Sequence, residues 1–172
     1  GAAIAPAVVV RVLDGAGNLV PTATNSITIG LGANPGGSTL SGTVTANAVA
    51  GTATFSTLSL NLTGAGYTLT ANATGLTGTT SSAFAVTPGA ATRLVYLVQP
   101  STVAAGASIT PAPQLEIQDL AGNRVTGATN AVTVTIGTNP GGSTLGGTTT
   151  VSAVAGVATF GTLTLNRTSA GY

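Results

Sequence analysis

Apolar and polar residues alternate along most of this chain, and nowhere does an apolar period of roughly 3.6 residues persist. The pattern therefore predicts strands and no helix. Between Val8 and Leu13, Val10 and Val12 point one way and Arg11 the other. Asp14 to Asn18 (DGAGN) reads as a turn. Ile27, Ile29 and Leu31 line the next strand, with Thr28 outward. Gly32 to Gly37 is a Gly/Pro loop, and Thr39 to Thr45 reads as a short edge strand. Gly51 opens a long strand through Leu62. There Ala53 and Phe55 share a face, but Leu58 and Leu60 have the opposite parity. A bulge near Ser56 and Thr57 would return both pairs to one core. The GAG turn at Gly64 to Gly66 leads into Tyr67, Leu69 and Ala71, and Phe84 and Val86 fall in the last strand. Such spacing predicts an all-β sandwich of about seven strands, with Tyr67 at a tyrosine corner.

Much of this pattern is written twice. The stretch NPGGSTLSGTVTANAVAGTATFSTLSLNLTGAGY runs from Asn34 to Tyr67 and returns, altered but without a gap, from Asn139 to Tyr172. The register extends back to Gly1, which matches Gly106, and about 40 of the 67 paired positions are identical. A period of 105 residues is a whole small domain. In the second copy Leu115 and Ile117 are expected inward and Glu116 outward, and Val132, Val134 and Ile136 repeat the second strand. Thr87, Pro88 and Gly89 form a short linker. The strand after it, from Ala90 to Gln99, carries Leu94 and Tyr96 inward and ends at Pro100. The domains are thus expected at 1–89, lacking its first strand, and at 90–172, lacking its last two. Strands of the same chain or of a neighbour are expected to fill both gaps, because an open core forfeits burial.

Composition narrows the chemistry. There is no Cys, His, Met, Trp or Lys, and 43% of residues are hydrophobic. Charge is confined to Arg11, Arg93, Arg124 and Arg167 against Asp14, Glu116 and Asp119, for a net charge of +1. That balance offers no footprint for nucleic acid or an anionic membrane. No apolar run approaches the roughly 20 residues of a membrane helix, so no membrane insertion is expected. No signal peptide is visible, which points to a mature form or an excerpt. A nearly neutral surface favours association, so neighbouring copies are the expected partners.

Catalysis has few groups to use. Asp14 and Asp119 occupy the same turn in different copies, so they form no acid/base pair. Each is expected to accept hydrogen bonds from its own turn. A calcium site on Asp14 and Asn18 would supply one carboxylate to an ion that takes about six to eight oxygens. GANPGGST (Gly32 to Thr39) lacks the lysine and following helix of a phosphate loop and reads as a connection. No enzyme activity, cofactor or metal is expected. Asn61, Asn72 and Asn166 open N-glycosylation sequons, about the number that chance supplies in a chain this rich in Ser and Thr.

VLDGAGNLV (Val12 to Val20), IQDLAGNRV (Ile117 to Val125), GTATF (Gly51 to Phe55), GVATF (Gly156 to Phe160) and GYTLTA (Gly66 to Ala71) carry a resemblance. The chain resembles the bacterial immunoglobulin-like tandem repeats of invasin- and intimin-type adhesins and other large surface proteins. That resemblance implies tandem Ig-like Greek-key sandwiches in an extracellular or cell-surface protein. Such units act as spacers, stalks or fibre material.

The copies differ most informatively at Val9, Leu13, Leu19 and Leu62, which become Gln114, Gln118, Arg124 and Arg167. Those four apolar positions are the candidate interface. The expected function is a structural repeat of a filament or surface stalk. The alternative is an adhesin whose end loops bind a glycan or host protein. Aromatics are only 3% of the chain, and Tyr67, Tyr96, Phe55, Phe84 and Phe160 are all expected in the core, which weakens that alternative.

Overall fold

A computed structural model describes all residues, 1–172, as two compact units, Gly1–Thr87 and Pro88–Tyr172. Every regular element is a β-strand and every pairing is antiparallel.

Unit 1 contains ten short strands: β1 (Val8–Arg11), β2 (Ser26–Leu31), β3 (Leu40–Ser41), β4 (Thr45–Asn47), β5 (Thr52–Phe55), β6 (Ser59–Leu60), β7 (Gly64–Tyr67), β8 (Leu69–Asn72), β9 (Thr79–Thr80) and β10 (Phe84–Val86). One sheet runs β4-β2-β8-β9, and β1 pairs with β5. Their apolar faces meet in one core. Ile27, Ile29, Leu69 and Ala71 come from the first sheet, and Ala53 and Phe55 from the second. Two smaller pairs, β3-β6 and β10-β7, complete the unit.

Unit 2 contains β11 (Arg93–Val98), β12 (Gln114–Gln118), β13 (Ala131–Thr133), β14 (Leu145–Gly146), β15 (Thr150–Ser152), β16 (Val157–Thr159) and β17 (Thr164–Leu165). Here β11-β12-β16 form a three-stranded sheet, with pairs β13-β15 and β14-β17. Ile109, Leu115, Ile117, Val132, Phe160 and Leu163 are among its core residues.

Several expectations change. The long strand from Gly51 to Leu62 is two strands with different partners: β5 pairs with β1, and β6 with β3. The backbone breaks at Ser56 and Thr57, so Ala53, Phe55, Leu58 and Leu60 are all buried. The parity change is thus a switch of partner strand. Thr39 to Thr45 is likewise split into β3 and the start of β4, which join different sheets. The GAG segment is part of β7, because it pairs with β10. Leu94 and Tyr96 are exposed, as are Val95 and Leu97 on the other face of β11, an edge strand paired only with β12. Phe84 is half-buried, while Phe55, Phe160 and Tyr67 are fully enclosed.

Glu116 is buried at 8% exposure, contrary to its expected outward position. Arg124 reaches it from the next segment, with Nε and a terminal guanidinium nitrogen both 2.6 Å from Oε2. Gln118 Nε2 donates to its other oxygen at 2.8 Å. These long side chains cover the carboxylate and satisfy it at once, which alternation alone does not reveal.

Both copies turn through the same two-residue hairpin. Val49 and Thr52 exchange backbone hydrogen bonds of 2.9 and 3.0 Å, with Ala50 at φ 49° and Gly51 at φ 75°. Both central residues are left-handed, the form that joins twisted strands best and favours Asn-Gly. Gly51 is required, because a Cβ there would meet the Val20 carbonyl. Ala50 carries the ordinary left-handed penalty of an L-residue. Replacing it, A50N, is expected to stabilise unit 1 by about 0.5–1 kcal/mol. Differential scanning calorimetry checks this: an unchanged or lower midpoint contradicts the turn assignment.

Candidate assembly surfaces and the residues that hold them

The two copies spend most of their repeated polar residues on their own turns. In unit 1, Asn34 Nδ2 donates to the Ser38 carbonyl at 2.9 Å, and Ser38 N–H returns to Asn34 Oδ1 at 2.8 Å. Ser38 Oγ then donates to Asn61 Oδ1 at 2.9 Å and accepts from the backbone N–H groups of Asn61 and Leu62. Thr39 N–H completes the knot at Asn61 Oδ1, 2.8 Å. Unit 2 repeats it with Asn139, Ser143, Asn166 and Thr144. The recurrence of NPGGST is therefore explained by a clamp that satisfies buried polar groups. Asn61 and Asn166 recur because their carboxamides are part of that clamp. Asn72 is exposed at the end of β8.

The clamp holds the tyrosine corner. Tyr67 Oη donates to the Leu62 carbonyl at 2.9 Å, and Tyr172 Oη to that of Arg167 at the same distance. A Cβ at Gly36 would lie 2.5 Å from the Thr63 carbonyl and closer still to the Tyr67 hydroxyl. Only glycine lets the loop pass so near the ring.

Asp14 closes the DGAGN turn. Its Oδ1 accepts from Ala16 N–H at 2.9 Å and Asn18 N–H at 2.8 Å, and its Oδ2 accepts from Asn18 Nδ2 at 3.1 Å. These bonds, led by those from Asn18, hold its carboxyl below the ordinary value. Asp119 repeats the arrangement and gains a fourth donor, Gly89 N–H at 2.9 Å. Burial pushes the Asp119 carboxyl up, but its hydrogen bonds outweigh that, and it is lowered from 3.8 to about 2. Hydrogen bonding from Gln118 first, then Arg124, likewise lowers Glu116 against an upward push from burial. No three His, Cys, Asp or Glu side chains come together in a group that could hold a metal ion.

Of the candidate interface residues, the structure brings three together. Val9 and Leu13 are about half exposed, at 51% and 50%, and Leu19 is 44% exposed and forms a β-bridge with Leu13. Leu62 lies apart from them, half-buried in the tyrosine corner. In unit 2 the matching face is a polar chain: Arg93 donates to Gln118 at 3.1 Å, Gln118 to Glu116, and Arg124 to Glu116. The substitutions between copies are thus correlated, an apolar face in one and a hydrogen-bonded network in the other.

The edges of the sheets also differ. In unit 2, β12 lies between β11 and β16. In unit 1, the same strand position, β1, pairs only with β5, and a groove of about 530 Å³ lies along it, lined in part by Val9, Leu13 and Leu69. Unit 2 has a larger groove of about 1010 Å³ beside β13, where unit 1 places β8. No protein-family model, curated protein or solved structure matches the chain.

Two outcomes are expected. Replacing Val9 and Leu13 with Gln should weaken assembly while the midpoint of unfolding changes little; unchanged assembly removes this face from the interface. Asp119 has a depressed pKa, so its stabilisation is present above about 3.8 and is lost as pH falls toward about 2. Unit 2 should therefore lose stability over that window, and D119A should flatten the loss. A variant whose acid-unfolding curve parallels the parent's contradicts the linkage.

Proposed function

We propose that the chain is a non-enzymatic structural repeat of an extracellular filament or cell-surface stalk, built from Ig-like Greek-key sandwiches of the bacterial type. The observation that carries this reading is how the duplicated polar residues are used. Asn34, Ser38, Asn61, Asp14 and Asn18, and their counterparts, hydrogen-bond within their own turns. What is kept between copies is what holds the fold, and no reactive group is kept with it. Nearly neutral surfaces and unpaired sheet edges add a means of association. The partners are neighbouring copies of the repeat, outside the cell.

A second reading is favoured by one observation. Val49 at the hairpin tip is 77% exposed, and Leu120 in the DLAGN turn is 85% exposed. Apolar loop tips of this kind suit an adhesin that grips a glycan or host protein. Electron microscopy of the native material separates the two. Regular fibres or cell-attached strings support the structural reading. Dispersed single molecules that bind a glycan array or host-cell extract overturn it in favour of the adhesin.

A further inference from the structure

Counting does not separate a used sequon from an accidental one, but geometry divides the three in this chain. The Asn61 and Asn166 carboxamides are committed to the two clamps. Asn61 Oδ1 accepts from Ser38 Oγ at 2.9 Å and Thr39 N–H at 2.8 Å. Asn166 Oδ1 accepts from Ser143 Oγ at 3.0 Å and Thr144 N–H at 2.8 Å. Ser38 and Ser143 are buried, so drawing either asparagine out would leave a buried hydroxyl without its acceptor. Thr63, the third residue of the first sequon, is half-buried at the tyrosine corner, with its carbonyl against Gly36.

Asn72 is placed differently. It ends β8, where Leu69 and Ala71 are buried and the alternate position, Asn72, is exposed. No protein group hydrogen-bonds its carboxamide. Its neighbours are short. Thr28 pairs with it across the ladder, Thr70 precedes it on the same face, and Gly78 lies beside it, where a Cβ would meet Asn72 Oδ1. Ala73 and Thr74 carry the sequon off the strand into a turn, in which Leu76 N–H donates to the Ala73 carbonyl at 3.2 Å and Gly75 has φ 78°. Thr74 is exposed. The acceptor amide and the threonine that completes the sequon thus both lie at the surface, where the strand opens into a loop.

We propose that Asn72 is an attachment site for an N-linked glycan, taken up by the folded chain, and that Asn61 and Asn166 are not. The donor is an oligosaccharide carried on a lipid pyrophosphate. Asn72 Nδ2 bonds to the anomeric carbon of the first sugar, the bond from that carbon to the phosphate oxygen breaks, and the lipid pyrophosphate leaves with the electron pair. One Nδ2 proton is lost to solvent, and nothing is oxidised or reduced. The glycan would lie over an uncharged face, where Thr28 and Thr45 share a hydrogen bond of 3.0 Å between their hydroxyls. The cellular setting rests on the extracellular reading above; the acceptor geometry does not.

The test uses the intact folded chain, a purified oligosaccharyltransferase and a lipid-linked oligosaccharide, with glycopeptides mapped by mass spectrometry. Synthetic peptides spanning residues 57–66, 68–78 and 162–172 serve as the unfolded reference and should all accept a glycan. The folded chain should accept one at Asn72, at least about tenfold faster than at Asn61 or Asn166, which need a local opening first. N72Q should abolish that transfer, and so should T74A, each with an unchanged midpoint of unfolding. A folded chain left bare at Asn72, or modified as fast at Asn61 or Asn166, overturns the proposal. So does a reference set in which only the Asn72 peptide reacts, because sequence and not the fold would then select the site. A bare Asn72 would leave the structural-repeat reading standing, and absence of filaments would leave a measured glycopeptide standing.

Discussion

Tyr67 and Tyr172 make the same hydrogen bond to the same backbone position, yet one is sealed and the other is open to water. At Tyr67 the ring is enclosed because β10 pairs with β7 and lays Phe84 against it. A sandwich core is closed from the side by backbone pairing as much as from above by the opposite sheet. Each large apolar side chain that pairing shields is worth roughly 1.5–3 kcal/mol. The geometry of both units follows from which edges are paired and which are not.

The polar residues serve the same end. Ser38 and Ser143 are buried, and each is the centre of a knot that leaves none of its buried side-chain oxygens without a partner. Short strands joined by tight turns have little regular hydrogen bonding of their own, so side chains of Asn, Ser and Asp supply the rest. That accounts for a chain that is poor in charge and rich in small polar residues. It also accounts for the identity of NPGGSTL in both copies without appeal to a ligand.

Between the copies, the exposed face of the β1 and β12 strands was changed as a set. Val9, Leu13 and Leu19 give way to Gln114, Gln118 and Arg124, and Arg11 to Glu116. A lone carboxylate at that position would be costly to cover. With Arg124 and Gln118 bonded to it, Glu116 is buried and ionised. The substitutions therefore make sense together, since the guanidinium at 124 needs the acid at 116, and the apolar pair at 13 and 19 needs neither.

The sequence by itself determined that the protein is all-β, that it is duplicated with a constant shift, and that Ala53, Phe55, Leu58 and Leu60 belong inside. Alternation is local, and a side chain two residues along a strand returns to the same face whatever the strand pairs with. The same holds for the Asp14 and Asp119 turns, whose bonds span at most four residues apart from the one from Gly89. Only the tertiary structure decided the partner of each strand, and hence that Ser56 and Thr57 mark a break between pairings. It also decided that Glu116 is covered and that Leu94 and Tyr96 are not. Those outcomes depend on what lies across from a residue, a partner strand tens of positions away or, for Glu116, the side chains of Gln118 and Arg124, and alternation does not carry that information.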